Sequence, residues 1–145
     1  MTTRFLASLA FTVTLAFSGV AAAQDNPAAA TYADIEATLG VVPSHFKAYP
    51  PQAIAGAWEM TKSLLTSPDN ALEPKVKSLI NLAVAAQIPC SYCIWLETKF
   101  ARQQGATEAE ITEAVAQAAY VRHWSTVLNG MQIDFETFKA EFGGE

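Results

Sequence analysis

The sequence has little of what metal and nucleic-acid chemistry require. Its 145 residues hold only two cysteines and two histidines. No histidine pair stands at ligand spacing, and two thiolates cannot complete the usual four-ligand zinc site. No metal centre is therefore expected. Basic residues are scarce too: nine Lys and Arg face 14 Asp and Glu, for a net charge of −5. That balance argues against nucleic acid or an anionic membrane surface as partner. Only 16% of the chain is charged while 51% is apolar, so a packed core is expected and disorder is not. No internal repeat occurs, and no run alternates apolar and polar residues for long enough to make a strand. The length suits one domain.

The N-terminus reads as a targeting segment. "MTTR" is followed by the apolar run "FLASLAFTVTLAFSGV", then "AAA" meets polar "QDN". This is the pattern of a secretory signal with a small-residue cleavage site, and the cut is placed after Ala23. A retained anchor is the alternative, because about 19 apolar residues nearly span a bilayer. The Ala-rich end and the lack of a basic stop favour cleavage. The mature domain is then residues 24–145, with a net charge of about −6 once Arg4 is gone. It is expected to be exported, periplasmic or secreted, and free of the membrane. Outside the cytoplasm a lone cysteine pair defaults to the oxidised state.

The remainder reads as helices. "YADIEATLG" stops at Gly40, and "VVPSHFKAYPP" holds one helical turn. "QAIAGAWEMTKSLLT" carries apolar residues at helical spacing. "KVKSLINLAVAAQ" is very apolar and so expected to be central, with Pro74 near its start. "CSYCIWLETKFARQQ" closes at Gly105. "TEAEITEAVAQAAYVRHWSTVLN" opens with a capping box from Thr107 and Glu110 and is expected to end at Gly130. "IDFETFKAEF" has Asp134 as N-cap. The predicted fold is all-α: six or so helices, compact, with antiparallel neighbours because the loops are short.

The chemistry centres on "QIPCSYCIWLETKF". Pro89 fits a first helical turn, which places Cys90 and Cys93 there on one face. Free N–H groups and the helix dipole stabilise a thiolate at that position. The spacing also allows a disulfide that opens by exchange. A staple closing so short a loop would stabilise little. A redox dithiol is therefore favoured over a structural or vestigial bridge.

Register estimates for the two hairpins set Ser78 near Glu97, Cys90 level with Tyr120, and His123 one turn away. Glu97, one turn after Cys93, disfavours a thiolate by like-charge repulsion. It can still pass a proton through water or Ser78, although a solvated glutamate reads as well. His123 can exchange a proton near neutral pH, or simply pack beside Trp124. His45 has no evident partner. Trp95 and Phe100 read as core or subunit contacts, and Tyr92 as an entrance or a cover.

The stretch "LINLAVAAQIPCSYCIWLETKFARQQGATEAEITEAV" resembles the core of the alkylhydroperoxidase D-like, carboxymuconolactone decarboxylase superfamily. The apolar helix, the C-x-x-C, the "GAT-x-x-E-I" restart and the Ala-rich helix carry the resemblance over about residues 72–130, and "GVVPSHF" is similar to the family's N-terminal part. The resemblance implies an all-α fold, a homo-oligomer, no cofactor, and a redox dithiol that reduces hydroperoxides. In the peroxidase branch the second cysteine attacks the peroxide and the first resolves the sulfenic acid, which assigns those roles to Cys93 and Cys90. The branch's histidine four residues after the second cysteine is Glu97 here. Its glutamate twelve residues before the first cysteine is Ser78, and its histidine before the second cysteine is Tyr92. The usual proton relay is thus replaced.

Together these readings imply an exported thiol oxidoreductase acting on a small hydroperoxide or a thiol or disulfide, reduced by an unidentified electron donor. Two rivals remain. One is a non-catalytic binding or assembly protein with an inert disulfide. The other is a lactone decarboxylase-like enzyme using Glu97 and His123 as acid and base.

Overall fold

The computed structural model describes residues 26–144; the signal segment and its cut after Ala23 lie outside the described residues. Among these the chain forms seven helices and no strand, as the all-α reading expects. They are α1 (Ala29–Leu39), α2 (Ser44–Ala48), α3 (Ile54–Thr66), α4 (Pro74–Gln87), α5 (Ser91–Gln103), α6 (Glu108–Gly130) and α7 (Phe135–Glu141).

Local chemistry sets most of the ends. Gly40 turns left-handed at φ 75° and its N–H closes on the Glu36 carbonyl, which stops α1. Pro74 opens α4, where its missing N–H costs nothing. Thr107 and Glu110 satisfy each other's backbone N–H groups at 3.2 and 2.7 Å, the reciprocal cap that starts α6. Asp134 caps α7 by accepting from the Thr137 N–H at 2.8 Å. α6 ends as expected at Gly130, although this glycine is not itself left-handed. The left-handed turn falls two residues later at Gln132, φ 53°.

The chain divides into two compact units at Trp58. In the first, Ala28, Ile35, Phe46, Ile54 and Trp58 form a buried cluster flanked by Tyr32 and Val42. The Phe46 ring meets the Trp58 ring edge-on at 5.7 Å. The Trp58 indole N–H donates to the Asp34 carboxylate at 2.7 Å, so its one polar atom is satisfied.

In the second unit α4 packs against both α5 and α6, while α5 and α6 touch little. The very apolar helix is central, as its composition predicts. Lys75 pairs with Glu110 at 2.7 Å, and twelve residues further along Gln87 accepts from Arg122 at 2.8 Å. Partner numbers rise together, so α4 and α6 run parallel, with α5 antiparallel to both. Leu82, Ala101 and Ile111 are buried between them, flanked by Leu79, Ile94 and Ala106. Yet α4 also shows an outward stripe at four-residue spacing. Val76, Ile80, Val84 and Ile88 are 38 to 63% exposed.

Candidate functional site

The cysteines sit where α4 hands over to α5. The Cys90 N–H donates to the Ala85 carbonyl at 3.0 Å. This bond ties residue 90 to the end of α4, so the chain enters the next helix only at Ser91. Pro89 therefore lies outside the first turn rather than in it, and Cys90 is the N-cap, with an extended backbone. Its sulfur accepts the Cys93 N–H at 3.2 Å. A helix N-terminus leaves such N–H groups without intrahelical partners, and here one of them is aimed at Cys90 Sγ.

Cys90 and Cys93 are joined as a disulfide, with their Cα atoms 5.3 Å apart. Both are half-buried. Tyr92 points away, 89% exposed, and does not cover the sulfurs. Trp95 is also exposed, with the Lys99 ammonium 5.4 Å from its ring centre. Neither aromatic belongs to this chain's core, whereas Phe100 is half-buried.

Glu97 is half-buried one turn further along α5. Burial pushes its carboxyl pKa up, and a hydrogen bond from the Asn81 side chain works against that shift. The expected partner Ser78 faces elsewhere. It shares a row with Leu82 and Ala85, four and seven residues on, and is buried with them on the core face of α4. Asn81, three residues later, takes the place opposite Glu97. The hairpin register estimate was one turn off. Asn81 itself was a readable signal: it stands alone in an apolar helix, where asparagine is a poor helix former unless its side chain has a task.

His123 is exposed, edge-on to Trp124 with ring centres 5.2 Å apart, and no hydrogen bond links it to the cysteines. Its neighbour Arg122 does the bridging instead. The Arg122 guanidinium donates to the side chain of Gln87 and, at 3.4 Å, to its carbonyl. Gln87 in turn donates to the Ala118 carbonyl at 2.7 Å. This knot fixes the last turn of α4, three residues before Cys90, against α6. Sequence reasoning missed it, because spacing along the chain does not announce a polar pair between parallel helices. His45 stacks beside Phe46 at 4.3 Å and belongs to the other unit.

A cavity of about 560 Å³ opens beside Glu97. Its walls come from residues 60–72, α4 and α5, with Met60, Leu64, Leu72, Ile80, Leu96 and Phe100 as apolar surface. Lys77, Asn81 and Glu97 supply polar groups. Among the described residues, no three His, Cys, Asp or Glu side chains gather in a way that could hold a metal ion. No described helix is long and apolar enough to cross a membrane.

A three-helix unit with a C-x-x-C at the start of its middle helix invites comparison with known proteins. The profile of the Carboxymuconolactone decarboxylase family matches residues 51–134. The chain belongs to the carboxymuconolactone decarboxylase family. Its fold is similar to the alkylhydroperoxidase AhpD core from Rhodospirillum rubrum, with a TM-score of 0.66 and 31% identity over 77% of this chain and 85% of that one. It is also similar to "Uncharacterized protein 4 in cox locus" of Paracoccus denitrificans, 44% identical over 54 residues. That match takes in 37% of this chain and 49% of the relative, so the chain spans about half the length of the curated relative it matches. The family match covers both cysteines, Ser78, Glu97 and His123.

Proposed function

We propose that the protein is an exported thiol-dependent oxidoreductase that works through the Cys90–Cys93 pair. The observation that carries this reading is the Cys93 N–H aimed at Cys90 Sγ at the start of α5, with both sulfurs half-exposed. The bond and the helix N-terminus favour negative charge on Cys90. Cys90 is therefore the better leaving group when the disulfide opens. An incoming thiolate attacks Cys93 Sγ, the Cys90–Cys93 bond breaks, and Cys90 departs as thiolate. A second substrate thiolate attacks the substrate sulfur of the mixed disulfide, and Cys93 departs as thiolate, which leaves the pair reduced. Two substrate thiols lose two electrons as a new disulfide, and the cysteines gain them. The reverse sequence reduces a disulfide.

Likeness to the alkylhydroperoxidase core supports a second use of the same sulfurs. A Cys93 thiolate attacks the hydroperoxide, the O–O bond breaks, and the alcohol leaves after protonation. Cys90 then attacks the Cys93 sulfenic acid, releasing water and closing the disulfide. A thiol or dithiol donor must reopen it. Glu97 opposes charge on Cys93 and Ser78 is turned to the core, so thiol–disulfide exchange is the better-supported use. The exposed Val76–Ile88 stripe supports a homo-oligomer, since each buried side chain of this size yields about 1.5–3 kcal/mol.

The test is to trap the intermediate. In oxidised glutathione, the reduced Cys90→Ser protein should hold glutathione stably on Cys93, and Cys93→Ser should not turn over. An inert disulfide would show no exchange with reduced glutathione in the native protein. The family description and the half-buried Glu97 favour one other reading, acid–base chemistry on a lactone-like substrate by Glu97 and His123. Activity that survives Cys93→Ser would establish it.

A further inference from the structure

Among the polar side chains that line the cavity beside Glu97, Lys77 and Asn70 have structural roles. The Lys77 ammonium donates to the Leu64 carbonyl at 3.0 Å, and the Asn70 amide donates to the carbonyls of Ser63 and Leu64. These bonds satisfy carbonyls near the end of α3, which any helix C-terminus must do. Glu97 and Asn81 close no helix end. Both line an otherwise apolar wall of the cavity. A carboxylate has about four acceptor positions, and an asparagine amide carries two N–H donors and a carbonyl oxygen. Placing a carboxyl among Met60, Leu64, Leu96 and Phe100 disfavours its charged form. Asn81 is exposed and Glu97 half-buried, so both side chains are open to a ligand in the cavity.

We propose that this cavity binds a neutral, mainly apolar small molecule through a terminal hydroxyl group held by Glu97 and Asn81. A volume of about 560 Å³ is within the range of roughly 300–1,000 Å³ that small-molecule sites occupy, and the mix of apolar wall with a few convergent polar groups is their usual composition. Charge selects the class. Glu97 repels an anion at the polar end. The Lys77 ammonium on the same wall disfavours a cation. A hydroxyl donates and accepts, so it can serve the carboxyl and the amide together. The head lies one turn along α5 from Cys93, about 6 Å along the helix axis. Neither cysteine lines the cavity, and the inference does not depend on the pair being redox-active.

Binding without turnover tests it. The mature protein, disulfide intact, is titrated with 2-naphthol, 2-naphthoate and 2-naphthylmethylammonium, followed by calorimetry and by amide chemical shifts. 2-Naphthol should bind at one site, with shifts gathered around residues 60–72, 77–81 and 96–100, and at least tenfold more tightly than either charged analogue. Glu97→Gln should weaken it roughly tenfold, the difference between a charge-assisted and a neutral hydrogen bond. Leu64→Trp should abolish binding by filling the space. Leu64 is 61% exposed, so the larger ring leaves the core intact, and an unchanged melting temperature confirms that. Equal affinity for the three probes, affinity indifferent to Glu97→Gln, shifts centred on Val84 and Ile88, or no binding would each overturn the inference. Because no sulfur reacts in these titrations, failure here leaves the thiol reading standing, and loss of exchange activity leaves this one standing.

Discussion

The cluster around Trp58 and the three-helix unit that carries the cysteines handle apolar surface in opposite ways. The first buries Ile35 and Ile54 completely and leaves Trp58 only 3% exposed. The second buries Leu82 and Ala101 but leaves Val84, Trp95, Val121 and Trp124 open to at least 44%. A closed cluster stabilises the chain that contains it. An open apolar face stabilises nothing until something covers it. The residues with chemistry, Cys90, Cys93 and Glu97, all lie in the open unit. Its apolar surface is therefore turned outward more than into its own core.

Several substitutions would break or sharpen that contrast. Trp58→Ala should cost about 3–5 kcal/mol, the usual loss for a buried aromatic, and should forfeit the Asp34 bond. Tyr92→Ala, between the cysteines, should change stability by less than about 0.5 kcal/mol, as exposed sites do. Urea unfolding of both variants measures the difference. A Tyr92 loss as large as that of Trp58 would show that the open face is covered in solution.

The paired change Ile80→Asp and Val84→Asp attacks the outward stripe of α4 directly. Sedimentation should show a homo-oligomer for the native protein and a monomer for this variant, with helical content retained. A native monomer would mean that the stripe serves no self-association.

Glu97→Gln has smaller effects, and their signs are fixed. Removing a negative charge one turn from Cys93 should leave alkylation of the reduced thiol unchanged or a few-fold faster. A loss on the order of 10²-fold would instead reveal a proton relay. For stability, a carboxyl whose folded pKa is raised above its ordinary 4.5 weakens the fold as pH rises from that value through the raised one. Glu97→Gln lacks that loss, so its advantage over the native chain should grow across the same window. Thermal melts at several pH values read it.

Glu110 behaves in the opposite sense and gives the smallest effect. Lys75 and the Thr107 backbone N–H hold its carboxyl down to about 2. Its contribution is complete above the ordinary value of 4.5 and is lost as pH falls toward 2. Glu110→Gln should flatten that acid limb: its small loss of stability is full at neutral pH and fades as pH falls toward 2.

Much of this architecture was legible because it rests on local chemistry. The capping box at Thr107 and Glu110, the Asp134 cap and the Gly40 stop are decided within four residues, and all three stand as read. Gly130 is the last residue of α6 as read, but glycine permits a left-handed turn without requiring one, and Gln132 made it instead. The site was legible in part. Cys90 and Cys93 announce themselves by spacing and meet as read. The partner of Glu97 did not, because a one-turn slip along α4 exchanges Ser78 for Asn81 and so a core-facing residue for a cavity-facing one. Gln87 and Arg122 lie 35 residues apart on parallel helices, and no local pattern signals that pairing. The exposed stripe was hidden for a different reason: an apolar helix reads as buried whether its own chain or a second copy covers it.

The central claim is that Cys90 and Cys93 form a working redox pair and not a staple. Equilibrating the mature protein in glutathione or dithiothreitol buffers, alkylating it and weighing the products gives the potential of the pair directly. A thiolate stabilised at the N-cap and a half-exposed bridge predict a pair that is reduced at potentials above about −300 mV, the upper bound for structural disulfides. A bridge that stays closed well below that value would contradict the account.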